Sequence, residues 1–219
     1  TNKAEAIVRA SFPEGTIKVE DWFQPHAGLA FEVADNTEVF AGFTQATRAH
    51  ASATTTGPFS TNQAGFNAIK GTLKPETSDT YEVGLRYNTG TFNGVLGAYL
   101  VNFKNRLLSA ASGPSIVGSP SVLQNVGSVR SVGFEAAGDV KLGGGLGLYA
   151  SYSYTDATYR DDVLNVSGQL LAAIKGKTVI DSPKHMLRGE LNYDSDGLFG
   201  RVGVNYMSRR YFTYTNDKS

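Results

Sequence analysis

Alternation of apolar and polar residues runs through most of the chain, and it constrains the fold more than any other feature. In residues 182–193 the odd positions are mostly apolar, whereas the even positions include Lys184, Arg188 and Glu190. Successive side chains of a strand point to opposite faces, so this pattern predicts strands with one apolar and one polar face. Helical periodicity is nearly absent, so we expect an all-β fold.

The connections between the alternating segments are of two kinds. Short ones rich in Asn, Asp and Gly favour tight hairpins, because these residues tolerate positive φ. Long polar ones lie between them, so that short and long connections alternate along the chain. This alternation is typical of a transmembrane barrel with short periplasmic turns and long extracellular loops. The short connections are 34–37, 88–90, 143–145 and 194–197, and the long ones are 49–75, 109–123 and 160–181.

We therefore predict one partial, antiparallel transmembrane β-barrel domain over residues 1–219. A closed bacterial barrel has an even number of strands and both termini inside. Eight or nine strands with two open edges would leave backbone groups unpaired in lipid, so we expect further chain on at least one side. The predicted strands are a weaker one at 3–11, followed by 22–33, 37–48, 78–88, 91–107, 126–142, 145–159, 182–193 and 198–211.

Composition excludes several other classes of protein. The 20 basic and 20 acidic residues balance, which gives no basic surface for a nucleic acid. The absence of cysteine excludes disulfides, thiolate metal sites and a cysteine nucleophile. No apolar run reaches about 18 residues, the length of a membrane-spanning helix. A water-soluble β-sandwich stays open as an alternative because its strands also alternate.

Aromatic residues cluster near the predicted strand ends, on or beside the apolar face. Transmembrane barrels place such amphipathic rings at the membrane interfaces, so the aromatics support the membrane alternative. They are Tyr152, Tyr154, Tyr193, Tyr206, Tyr211 and Phe212.

The sequence contains no recognisable catalytic or cofactor site. His26, His50 and His185 are far apart and lack metal-ligand spacing, and no nucleophile-elbow motif occurs. The glycines at 143–147 resemble a phosphate loop but lack the Lys-Ser/Thr and the following helix, so we interpret them as a hairpin turn. Asp161 and Asp162 form a calcium-like pair that we interpret as solvated loop charge. We expect no enzyme activity and no cofactor.

Three segments resemble sequence features of TonB-dependent outer-membrane receptors, with ferric-citrate and other siderophore receptors as the nearest look-alikes. Residues 73–87 read LKPETSDTYEVGLRY, residues 125–135 read NVGSVRSVGFE, and residues 182–185 read SPKH. They follow one another in the family's order and spacing. The resemblance covers the chain from about residue 22 onward.

The resemblance implies the C-terminal part of a barrel of about 22 strands, whose plug and TonB box are not in this chain. It implies active import of a scarce nutrient across the bacterial outer membrane, with a ferric siderophore as the expected cargo. The implied partners are TonB, the ferric ligand and outer-membrane lipid or lipopolysaccharide. A passive porin or substrate-specific diffusion channel is the alternative, and an adhesin or soluble binding module is a third.

Two groups of residues are candidates for function. Charges on the polar rows should face the lumen, because Arg or Lys on the lipid face costs about 2–4 kcal/mol near the midplane. Arginines near the outer loops suit carboxylate or catecholate-type oxygens, although such residues often face only solvent or lipopolysaccharide. The lumen candidates are Glu82, Arg86, Glu135, Asp139, Lys184, Arg188, Glu190 and Arg201. The substrate-binding candidates are Arg48, His50, Arg209, Arg210 and Tyr211.

Overall fold

The computed structural model describes most of the chain from residue 14 onward. The described residues are 14–16, 18, 20–48, 63, 67, 70–71, 73–111, 121–125, 127–164 and 168–219. The strand predicted at 3–11 lies outside them. Within the described residues, no helix has the length and hydropathy needed to cross a membrane.

Eight strands form one antiparallel sheet, in which chain neighbours are also spatial neighbours. Its order is β1-β2-β3-β4-β7-β8-β11-β12, and two short hairpins, β5–β6 and β9–β10, lie in the connections between sheet strands. The sheet strands are β1 (His26–Ala34), β2 (Thr37–Arg48), β3 (Glu76–Asn88), β4 (Phe92–Lys104), β7 (Val129–Gly143), β8 (Leu146–Tyr159), β11 (His185–Ser195) and β12 (Leu198–Met207). The hairpin strands are β5 (Leu107–Ala111), β6 (Ser121–Asn125), β9 (Val163–Leu164) and β10 (Leu170–Ala172).

The predicted and observed strand bounds differ mainly at the end of the sheet opposite the tight turns, which we call the outer end. The strand predicted at 198–211 ends at Met207, so Arg209, Arg210 and Tyr211 lie beyond it. Both ends of the segment predicted as a loop at 109–123 are strand, since 109–111 belong to β5 and 121–123 to β6. The alternation of polar and apolar residues identifies the interiors of strands. The outer ends of the strands depend instead on hydrogen bonds between segments distant in sequence, such as that from Asp181 N–H to Tyr211 O (2.9 Å).

The tight turns have the backbone geometry that their residue types favour. Asn36 and Asp196 have φ of 62° and 52°, and Gly143, Gly144 and Gly145 all have positive φ. Successive left-handed residues are costly for side chains with a Cβ, which explains the three glycines between β7 and β8.

The register gives the sheet two distinct faces, because directly paired residues point to the same side. We call one the apolar face. One of its rows crosses six strands as Leu85, Leu96, Ala136, Tyr152, Leu187 and Tyr206. The opposite, polar face carries the row Glu38, Arg86, Val95, Ala137, Ser151, Arg188 and Asn205.

The apolar face is uncovered. Leu29 is 80% exposed and Val202 is 75% exposed, and no second sheet of the described residues packs against them. Soluble monomers rarely expose continuous apolar patches larger than a few hundred Å². This argues against the sandwich alternative and for contact with hydrocarbon.

Buried apolar residues of the described chain concentrate at the outer end. Val129, Tyr159, Val163 and Ile174 form a cluster that we call the outer core. Partly buried side chains packed against it are Phe103, Ala172, Val179 and Tyr214. The outer core therefore joins β4, β7 and β8 to the β8–β11 connection and to the chain after β12.

Candidate functional site

Charged side chains on the polar face form short cross-strand clusters near the tight turns. Arg86 pairs with Glu38, and its guanidinium lies 4.2 Å from the centre of the Phe40 ring. Phe40 can lie flat there because Gly84 has no side chain; a Cβ at Gly84 would lie 2.3 Å from the ring. Glu32 is directly opposite Glu38 in the register, so this end of the face is acidic.

A second cluster lies on β11 and β12. Glu190 accepts from Arg188 at 2.8 Å and from Arg201 at 3.0 Å. Its side chain is mostly buried by these contacts, whereas both arginines stay exposed. The cluster carries one more positive than negative charge.

The register places seven of the eight lumen candidates on the polar face. Asp139 is held there by a 3.1 Å hydrogen bond from Asn93 Nδ2. Lys184 differs, because it precedes β11 and pairs with Asp156 at 3.1 Å, a residue in the apolar-face rows. The Asp156 carboxylate beside it raises the pKa of Lys184. The seven on the polar face are Glu82, Arg86, Glu135, Asp139, Arg188, Glu190 and Arg201.

The four substrate-binding candidates that the structure describes lie at the outer end but do not form one cluster. Arg48 is the last residue of β2, opposite Glu76 in the register. Arg209 donates to the Tyr211 hydroxyl at 3.1 Å, with its guanidinium 5.2 Å from that ring. Arg210 pairs with Asp181 at 2.7 Å. β2 lies near the opposite edge of the sheet from β12, and His50 is outside the described residues.

Asp161 and Asp162, interpreted from the sequence as solvated loop charge, are exposed and half-buried respectively, and both also accept backbone hydrogen bonds. Asp162 Oδ1 accepts from the backbone N–H groups of Ile174 and Lys175, both at 2.8 Å. Asp161 accepts from Ser128 N–H at 2.8 Å. The two carboxylates therefore anchor the β8–β11 connection, and the described residues contain no metal-binding group of three or more acidic, His or Cys side chains.

Sequence reasoning also missed the outer core. Ile174 is 0% exposed and Tyr159 is 2% exposed. Asn216 fixes the chain after β12 against Thr178, accepting from its N–H at 2.7 Å and donating to its carbonyl at 2.9 Å. Tyr214 packs edge-on to Tyr159 at 6.2 Å, and burial raises the pKa of Tyr214. The run of five apolar residues at 170–174, within a connection predicted to be polar, was the available signal.

The outer core lies on the polar-face side of the sheet. Phe103, Val129 and Tyr159 are opposite one another in register, in the same alternation as Glu135. The β8–β11 connection therefore folds over the outer end of the polar face.

The chain matches one protein family and several solved structures. The family described as TonB dependent receptor-like, beta-barrel, matches residues 6–219. A relative from Pseudomonas sp. (strain M114), the ferric-pyoverdine M114 receptor PbuA, is 29% identical over 196 residues, covering 86% of this chain and 21% of the relative. The iron-regulated outer membrane virulence protein of Vibrio cholerae is 27% identical over 147 residues, covering 63% of this chain and 21% of the relative.

Solved structures share the fold at lower identity. The ferric citrate transporter FecA in the unliganded form has a TM-score of 0.64 and 22% identity, over 88% of this chain and 26% of that one. The copper transporter OprC has a TM-score of 0.62 and 19% identity, over 83% of this chain and 26% of that one. This chain spans about a fifth of the length of the curated relatives it matches.

Proposed function

The chain belongs to the β-barrel family of TonB-dependent receptors, and on this premise we propose that it forms barrel wall of an active importer of ferric siderophores. Proteins of this family lie in the bacterial outer membrane, where the uncovered apolar face contacts lipid. The polar face lines the lumen and contacts a plug. TonB, acting on a part of the receptor outside this chain, supplies the energy.

The observation that carries the proposal is the combination of the two-faced sheet with the family match. Only closed barrels and helices satisfy backbone groups in lipid, so a β-sheet in lipid must be part of a closed barrel. A barrel with a lipid-facing wall and a charged interior encloses a polar path across the membrane, as transport requires. The names of the relatives support iron as the cargo, because one is a ferric-pyoverdine receptor and another is iron-regulated. The matched solved structures are transporters, in accord with a protein that has no enzyme activity.

We propose the candidate residues at the outer end as ligand contacts. They differ in whether their hydrogen-bond donors already have a partner in the chain. Arg48 and Arg209 present exposed donors to the outside, and Arg209 also donates to the hydroxyl of the half-buried Tyr211. Arg210 must leave Asp181 to bind a ligand with the same donors. We retain His50 as a proposed contact from its sequence position alone.

Uptake of labelled iron tests the proposal. The full-length receptor is expressed in cells lacking their own ferric receptors, and accumulation of ⁵⁵Fe is measured for catecholate, hydroxamate and citrate complexes. We expect receptor-dependent accumulation of at least one complex, abolished by deletion of tonB or by a protonophore.

Two results would contradict the proposal in different ways. Flux that persists without TonB and without the proton gradient would indicate a porin or diffusion channel. Accumulation of copper but of no ferric complex would refute the iron cargo while leaving active import intact, and the fold similarity to a copper transporter makes this comparison necessary.

A further inference from the structure

A tight turn at residues 174–177 is fixed on the outer end of β8. Lys177 N–H donates to Ile174 O at 2.8 Å, and Gly176 has a φ of 78°. Positive φ at the third residue is typical of a type II turn. Gly176 N–H donates to Tyr159 O at 2.8 Å and Tyr159 N–H donates to Lys177 O at 3.0 Å, so β8 holds the turn by two backbone hydrogen bonds.

The side chains of this turn divide into one buried anchor and two exposed cations. Ile174 is wholly buried in the outer core, on the polar-face side of the sheet. Lys175 and Lys177 are exposed, as is neighbouring Arg160. The anchor therefore fixes the backbone from which the two ammonium groups project.

The nearby carboxylates that the structure describes accept from backbone N–H groups. Asp162 is held by the backbone N–H groups of Ile174 and Lys175, and Asp161 by Ser128 N–H. No carboxylate of the described residues forms an ion pair with Lys175, Lys177 or Arg160. By contrast, Lys184 on the other side of the sheet is paired with Asp156.

We propose that the 174–177 turn is a preformed oxyanion-binding element at the outer end of the lumen, with Lys175 and Lys177 contacting carboxylate or catecholate oxygens of an anionic ferric chelate. This inference rests on the proposed function for its ligand. A fixed backbone reduces the entropy lost on binding, and an ammonium group binds oxyanions as a point charge. Ile174 is a positioning residue, since it contacts the outer core and not the ligand.

Binding of ferric citrate to the purified full-length receptor tests the inference at low and high ionic strength. We expect the Lys175→Gln/Lys177→Gln double variant to bind about 2- to 30-fold more weakly than wild type at low salt, from the usual size of two exposed ion pairs. Its affinity should also depend less on salt, because exposed charges are screened. The matched control is Lys141→Gln, an exposed lysine on the same face near the tight turns, which should bind as wild type.

A second measurement separates failure of this inference from failure of the proposed function. Acetylation of Lys175 and Lys177 by an amine-reactive reagent is followed by mass spectrometry with and without metal-free citrate. Protection of both lysines supports the oxyanion element even if no ferric complex is transported. Wild-type affinity for ferric citrate in the double variant, or the absence of protection by citrate, would overturn it.

Discussion

Replacing Ile174 by alanine should open the outer core while leaving the sheet intact. Ile174 is wholly buried, and truncating a buried isoleucine to alanine costs about 2–5 kcal/mol. The loss falls mainly on the β8–β11 connection and on the chain after β12, because the strands that contact Ile174 are also held by their backbone ladders. The amides that report it are those of Lys177, whose hydrogen bond closes the turn, and of Gly176, whose hydrogen bond attaches the turn to β8.

Hydrogen exchange of the full-length receptor in detergent measures this local opening. Because each 1.4 kcal/mol is a factor of ten, the two amides should exchange about 30-fold to 4,000-fold faster than in wild type. Leu170→Ala is the matched control, since this leucine lies in the same connection but is 59% exposed. Equal exchange in the two variants, or uniform loss of protection across the whole sheet, would refute the account of the outer core.

Further variants and conditions test the two faces, the pH response and the sheet packing. Leu187→Arg should destabilise the receptor in lipid vesicles by about 2 kcal/mol more than Met186→Arg in urea unfolding, because these neighbours are 45% and 43% exposed but lie on opposite faces. Burial raises the pKa of Tyr214. The stabilising effect of the buried neutral tyrosine is therefore complete below its unfolded pKa and is lost as the pH rises through the folded pKa. Proteolysis after residue 208 should accelerate above about pH 10. Gly133→Ala should lower the yield of folded receptor in heat-modifiability gels, because its Cβ would lie 2.2 Å from Tyr154 O, whereas Gly200→Ala meets nothing within 4 Å and should fold as wild type.

Much of the sheet could be predicted because its determinants are local. The alternation around Leu187 and Arg188 encodes opposite faces of one strand, and the register places them so. The residue types of the tight turns, such as Asn36 and Gly144, require the backbone conformations that the structure shows. The resemblance to the family added the expectation of a larger closed barrel, which a chain of this length cannot form alone.

The outer end could not be predicted because its determinants are distant in sequence. Ile174 is buried only because Val129 and Tyr159 meet it from two strands, and Asn216 reaches Thr178 across the chain. Lys184 follows the alternation of the polar residues, yet it lies before β11 and the Asp156 carboxylate draws it to the other side. Ion pairs and loop packing of this kind depend on tertiary contacts, which the local sequence pattern does not encode.

Collision accessibility of spin labels along β8 tests the central claim that the two faces of the sheet contact different media. The chain has no cysteine, so each single cysteine substitution creates one labelling site within it. Labels at Leu148 and Ala150 should collide most with oxygen, and labels at Tyr149 and Ser151 with a water-soluble nickel chelate. Equal accessibility to the nickel chelate at all four positions, or the reverse alternation, would contradict the account.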